Sequence, residues 1–264
     1  MAVQYDAVSM TNAGNPDIVV ISGDFVCHSQ VYLDDLTEVI GKLDAPVFAV
    51  LGNHDHWAGA DVVRKALRKG GAEVLDNAHT TITIGHQPLQ VLGLDDAYTG
   101  HASQRDALKG LKSNLPVIGL SHIAEEADAL WEHGVPLVFS GHTHAGQITV
   151  ARLHELSVGK LAGHKYIHGL YGSRASEEPK GAVYVGAGVG AAIVPLRLGE
   201  RAQREVAFFE LGAQPGAFDE HHEEQAAYRG RKPSPKTKER RARAVLRRQE
   251  RRDRRNGNGA GLGS

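Results

Sequence analysis

Four short apolar runs in this sequence each end in residues that can bind a metal or move a proton. "DIVVISGD" ends at Asp24, and "VFAVLGNHD" at Asn53, His54 and Asp55; "PVIGLSH" ends at His122, and "PLVFSGHTH" at His142 and His144. Carboxylate, amide oxygen and imidazole are intermediate-to-hard donors, suited to Mn²⁺, Fe, Zn²⁺ or Ni²⁺ rather than to thiolate-loving metals. Two such ions about 3.5–4 Å apart, bridged by a carboxylate, can clamp the attacking and leaving oxygens of a phosphoryl displacement. They also generate hydroxide near neutral pH. Taken singly, each residue has an ordinary structural alternative. Asn53 would serve as a turn residue, Asp55 as a helix N-cap, and His122 as a hydrogen-bonded strand-end histidine.

These ends can meet only if the runs lie side by side in a sheet. The runs do not alternate apolar with polar, as expected of strands covered on both faces. Between them, Val31, Leu36, Val39, Ile40 and Leu43 recur at helical spacing, and "GADVVRKALRKGG", "ASQRDALKGLK" and "EEADALWEHG" read as further helices. Val3, Ala7, Val8 and Met10 suggest a short leading helix, closed by the turn signal Asn15-Pro16-Asp17. "TTITI" and "LQVLGL" read as shorter strands, and "GAVYVGAGVG" and "EVAFFEL" as closing strands. Strands alternating with helices predict an α/β domain, with the polar motifs at the carboxyl ends of strands, where ligands bind in open sheets.

With 264 residues, 41% of them hydrophobic, the chain can build one sizeable core plus an appendage. The expected division is a domain over 1–212 and a charged tail over 213–264. Residues 229–255 hold 14 Lys/Arg and 3 Asp/Glu, a net of +11; the remaining 16 and 28 give −12 elsewhere. The tail is too poor in apolar residues to bury a core and is expected to be disordered. Arg-rich segments of this kind bind nucleic acid or an anionic membrane surface through phosphates. Between Arg229 and Ser264 there is no aromatic residue for stacking on bases. No motif points to a defined protein partner. The sequence has no apolar run of about 18 residues and no signal peptide, so a cytoplasmic location is expected for the chain as it stands. The single cysteine, Cys27, excludes an intramolecular disulfide and reads as a small buried residue.

"GDFV", then 25 residues, then "GNHD", with "GHTHAGQ" further on, resembles the signature of calcineurin-like metallophosphoesterases. "GHTHAGQI" and the later "YIHGLYGS…AVYVGAGVG…PLRL" resemble one bacterial branch of that family, and the likeness covers about residues 10–211. The resemblance implies a four-layer α/β fold, a β-sandwich flanked by helices, two divalent metal ions and a phosphoester substrate. It implies Asp24 as the bridging carboxylate, with Asn53, His122 and His142 completing one metal's shell and His144 on the other. It makes His54 the group that binds phosphate and protonates the leaving oxygen, oriented by Asp55.

The chain departs from the pattern in two places. "SHIAEEAD" stands where the family continues with a small polar residue and proline. The family's first strand, ending in Asp-x-His, has no counterpart here. One metal would then keep Asp24, Asn53, His122 and His142, while the other would keep only Asp24 and His144. One tightly bound ion is therefore expected. The pattern fits a reading frame that extends upstream, with membrane association if an anchor precedes it. It also fits a catalytically impaired metal-binding remnant.

Overall fold

The computed structural model describes residues 2–27, 29–146, 163–172, 181–190, 197 and 203–212. The chain divides into two units, Met1–Gly230 and Arg231–Ser264, and all described residues belong to the first. The charged tail lies outside the described residues. Among them, no helix is long and apolar enough to cross a membrane.

The chain begins with α1 (Ala2–Ala13), β1 (Val19–Ile21), α2 (Leu33–Ile40), β2 (Val47–Ala49), α3 (Asn53–Lys69) and β3 (Ala72–Val74). The three strands form a parallel sheet in the order β1-β2-β3. Next come β4 (Ala78–Ile84), β5 (Gln87–Gly93), α4 (Gln104–Ala107), β6 (Val117–Leu120), α5 (Ala127–Glu132), β7 (Leu137–Ser140), β8 (Gly169–Gly172) and β9 (Ala182–Val185). These strands form a mixed sheet in the order β4-β5-β6-β7-β9-β8, antiparallel at its two outer pairs and parallel between.

Three apolar clusters define four layers, and alternation along each strand decides which cluster a side chain joins. In β2, Val47 and Ala49 face the helices with Val63 and Leu67 of α3. Phe48 and Val50 point the other way, into the space between the sheets. In β7, Phe139 faces that same space while Val138 packs with Leu130 of α5. In β9, Tyr184 and Val183 divide in the same way. The architecture is therefore helix, sheet, sheet, helix, and the apolar runs lack polar alternation because both faces are covered.

Two expectations change, and one strand is added. "ASQRDALKGLK" is helical only over Gln104–Ala107, and Gly110 turns the chain at a φ of 89°. Gly169–Gly172 forms a strand although its glycines obscure the pattern. "EVAFFEL" is not a strand: a ladder needs a neighbouring backbone, and this segment is held mainly by side chains. Phe209 packs on Phe139 and Tyr184 at ring distances of 4.9 and 4.7 Å.

Glu205 anchors the same segment. It accepts the Ala187 amide at 2.8 Å and the Tyr184 hydroxyl, and pairs with His168 at 3.1 Å. Burial alone would push the Glu205 carboxyl up, but these partners reverse that and hold it at about 2. Its folded pKa lies below the unfolded value. The stability it contributes is present above about pH 4.5 and is lost as pH falls toward 2. Thermal melts of Glu205→Gln should therefore lie below wild type at pH 6, by on the order of 2 kcal/mol after discounting partial exposure. The gap should close toward pH 2. A gap independent of pH would contradict this assignment.

Candidate metal centre

The carboxyl ends of β1, β2, β6 and β7 converge at one edge of the paired sheets. Ser22-Gly23-Asp24 leaves β1 with φ values of 94° at Gly23 and 60° at Asp24. His142 leaves β7 at a φ of 71°. Left-handed backbone at two non-glycine residues costs about 1–3 kcal/mol each, and such strain collects at functional sites. Asp55 secures the first turn. Its carboxylate accepts the amides of Asp24 (2.9 Å), Val26 (3.1 Å) and Gly52 (2.9 Å). Burial pushes this carboxyl up to about 6, against the pull of the amides. It is still mainly ionised at neutral pH, as its donors require.

His122 is buried and fixed by donation from Nδ1 to the Ser22 carbonyl at 2.7 Å, across the two sheets. That bond leaves Nε2 facing inward. Nε2 lies 3.1 Å from Asn53 Oδ1, 3.0 Å from His142 Nδ1 and 3.4 Å from Asp24 Oδ2. Asp24, His122 and His142 each bring a ligand atom within 4.8 Å of the others. A single ring proton cannot satisfy three such neighbours at once. Convergent nitrogen and oxygen donors with a carboxylate fit a divalent cation of the Mn²⁺ to Zn²⁺ class.

The charges of the cluster are strongly coupled. Burial raises Asp24, but His122 and the His54 amide outweigh it and hold the carboxyl at about 2. Burial opposes charge on His122, yet Asp24 and the Ser22 carbonyl draw it above the usual histidine range. His142 is driven well below that range by burial and by neighbouring imidazoles. Burial also takes His144 down to about 4. His144 is not part of the mutually close trio.

Gly52 lets this cluster close. A Cβ there would sit 2.3 Å from Asp24 Oδ1 and 2.7 Å from His122 Cε1. Gly52→Ala should displace one of them and weaken Mn²⁺ binding at least ten-fold, with about 1–3 kcal/mol lost in stability. Calorimetric titration and thermal melts check this. Unchanged affinity would show that the two side chains are not held where the cluster needs them.

The "GNHDHW" motif is helical rather than a loop at a strand end. α3 begins at Asn53 and breaks at Gly59, whose φ is 120°. The carbonyl of Ala58, next to the break, accepts Gln30 Nε2 at 2.6 Å. The motif thus rides on its own helical turn. His54 points its Nδ1 at the Cys27 carbonyl, 2.7 Å away. This corrects the expectation that Asp55 orients His54: the Cys27 carbonyl does so, and Asp55 binds the backbone of the Asp24 turn. Asp55 also caps α3, from the third helical position back to the Gly52 amide rather than as the N-cap itself. Cys27 is exposed, not buried.

A pair of carboxylates in a loop reads by default as solvent-exposed, but Asp95 and Asp96 are both buried because β5 delivers them straight to the same edge as the other strand ends. Asp95 pairs with His56 at 2.7 Å and Arg64 at 3.0 Å, tying the start of α3 to β5. Asp96 adds negative charge near His122. His101 stacks on His56 at 3.9 Å, and His164 lies 5.2 Å from His142. His28 lies outside the described residues.

The sequence model of the calcineurin-like phosphoesterases matches residues 5–146. The chain belongs to that family. Among curated members, the uncharacterized metallophosphoesterase YkuE of Bacillus subtilis is 29% identical over 206 residues, 76% of this chain and 69% of that protein. Phosphodiesterase YaeI of Escherichia coli is 28% identical over 214 residues, 78% and 74% of the two chains. A transmembrane protein with metallophosphoesterase domain from Danio rerio is 33% identical over 212 residues, 74% of this chain but 46% of that protein. Calcineurin-like phosphoesterases use divalent metals, and the convergent trio is a fitting place for one.

Proposed function

We propose that this phosphoesterase hydrolyses phosphodiesters or small phosphomonoesters at the Asp24–Asn53–His122–His142 cluster. The convergence of Asp24, His122 and His142 within 4.8 Å at three strand ends carries the reading. The phosphodiesterase YaeI among its relatives supports the diester class. Asp24, Asn53, His122 and His142 would hold one divalent ion tightly, and Asp24 with His144 would hold a second weakly. Bound there, the metal supplies charge neutralisation on the phosphoryl oxygens and a hydroxide near neutral pH.

The chain's own groups do the rest. With Nδ1–H donated to the Ser22 carbonyl, His122 would present Nε2 to the ion, which takes the place of the proton that Asp24 draws to that nitrogen. Asp55 holds the Asp24 turn in its strained conformation. His54, with Nδ1–H on the Cys27 carbonyl, has Nε2 as the atom that gives a proton to the departing oxygen.

Purified protein with Mn²⁺ should cleave bis(p-nitrophenyl) phosphate, and His122→Ala should abolish the activity. An equal rate from His122→Ala would contradict the proposal.

A further inference from the structure

Two large aromatic side chains beside the cluster are partly exposed. Trp57 is 51% exposed and Tyr98 is 42% exposed. Trp57 lies against the His54 ring at 4.8 Å, and Tyr98 against the His142 ring at 5.5 Å. The two meet edge-on at 6.1 Å, with their planes 79° apart. An arc of rings, His54–Trp57–Tyr98–His142, therefore borders the centre. By contrast, Trp131 packs on the outer core and donates Nε1–H to the Ala182 carbonyl at 3.2 Å.

Separate elements hold the two exposed rings. Trp57 sits on the helical turn that Gly59 detaches from the rest of α3. Tyr98 sits in the loop after β5, where Asp96 accepts the Thr99 amide at 2.7 Å and its hydroxyl at 2.6 Å. Leaving an indole half in water forfeits burial that would otherwise stabilise the fold. An edge-on pair cannot sandwich a guest, but two rings with planes 79° apart meet as a corner.

We infer that this corner makes the enzyme selective for phosphoesters whose leaving group carries a flat aromatic ring, which stacks on Trp57 while the phosphate lies at the cluster. The inference rests on the phosphoesterase reading above. A flat ring gains stacking that a polyol or a glycerol group cannot. The rings flanking the corner are the imidazoles of two site residues, so a guest here is within reach of both the cluster and His54.

Calorimetry of the full chain with saturating Mn²⁺ tests this with three phosphomonoesters: adenosine 5′-monophosphate, phenyl phosphate and glycerol 3-phosphate. At least one ring-bearing ligand should bind about ten-fold more tightly than glycerol 3-phosphate. Whichever ring ligand gains tells whether the favoured ring is a nucleobase or an aryl group bonded directly to the ester oxygen. Trp57→Ala should erase that margin and Trp57→Phe should keep most of it, with the ring-free ligand moving in neither. In the unaltered protein, the favoured ligand should also quench the emission of Trp57, a signal absent from Trp57→Phe. Equal affinities for all three ligands, or an equal loss for all three in Trp57→Ala, would overturn the inference and leave the phosphoesterase reading standing. Binding of none of the three would also overturn the inference, while the phosphoesterase reading is decided separately by cleavage of bis(p-nitrophenyl) phosphate.

Discussion

Asp24→Asn should lower kcat/KM for a phosphodiester by at least ~10³-fold and weaken Mn²⁺ binding, with the fold intact. Asparagine is the informative replacement because it tolerates the left-handed backbone that Asp24 adopts at a φ of 60°. Its side-chain oxygen can still accept the His54 amide, which bonds Asp24 Oδ1 at 3.0 Å. What it removes is the negative charge that faces His122 at 3.4 Å. Without that charge a divalent ion meets two imidazoles and two neutral amides, a much weaker set. Near-normal turnover with unchanged metal affinity would mean that the carboxylate does not serve the centre.

His54→Ala should act on a different step. Its kcat should fall by about 10²–10⁴-fold for an ester with a poor leaving group, while Mn²⁺ affinity stays near that of the wild type. The loss should shrink for p-nitrophenolate, which departs without a proton. The geometry behind this expectation is the bond from His54 Nδ1 to the Cys27 carbonyl, which makes Nε2 the nitrogen proposed to give the proton. A loss of the same size for good and poor leaving groups would remove His54 from the role of general acid. A large drop in metal affinity would instead place it among the ligands.

Much of this site could be read from the sequence because its residues follow apolar runs directly. Asp24, Asn53, His122 and His142 each follow an apolar run, and that position together with the family resemblance marked them as candidates. Less could be read where a tertiary contact decides. Asp95 and Asp96 follow β5 in the same manner, and that shared position was the available signal for their burial. The pair reads as a solvated loop until Arg64 and His56 are seen to close over Asp95. Trp57 and Tyr98 lie far apart in sequence, and only folding brings them to adjoining sides of the cluster. The helical start at Asn53 was hidden because Gly59 interrupts the apolar spacing that marks the rest of α3. Gly52 could be recognised as a turn glycine, but not as a position where a methyl group would meet both Asp24 and His122. "EVAFFEL" has the composition of a strand, and composition does not supply a ladder partner.

Anomalous diffraction from Mn²⁺-soaked crystals should reveal whether Asp24, Asn53, His122 and His142 form the proposed metal centre. The expected result is a strong peak within direct ligation distance of the Asp24 carboxylate, the Asn53 oxygen, His122 Nε2 and His142 Nδ1. A fully loaded crystal with no peak there, or with its peak at some other group of residues, would contradict it.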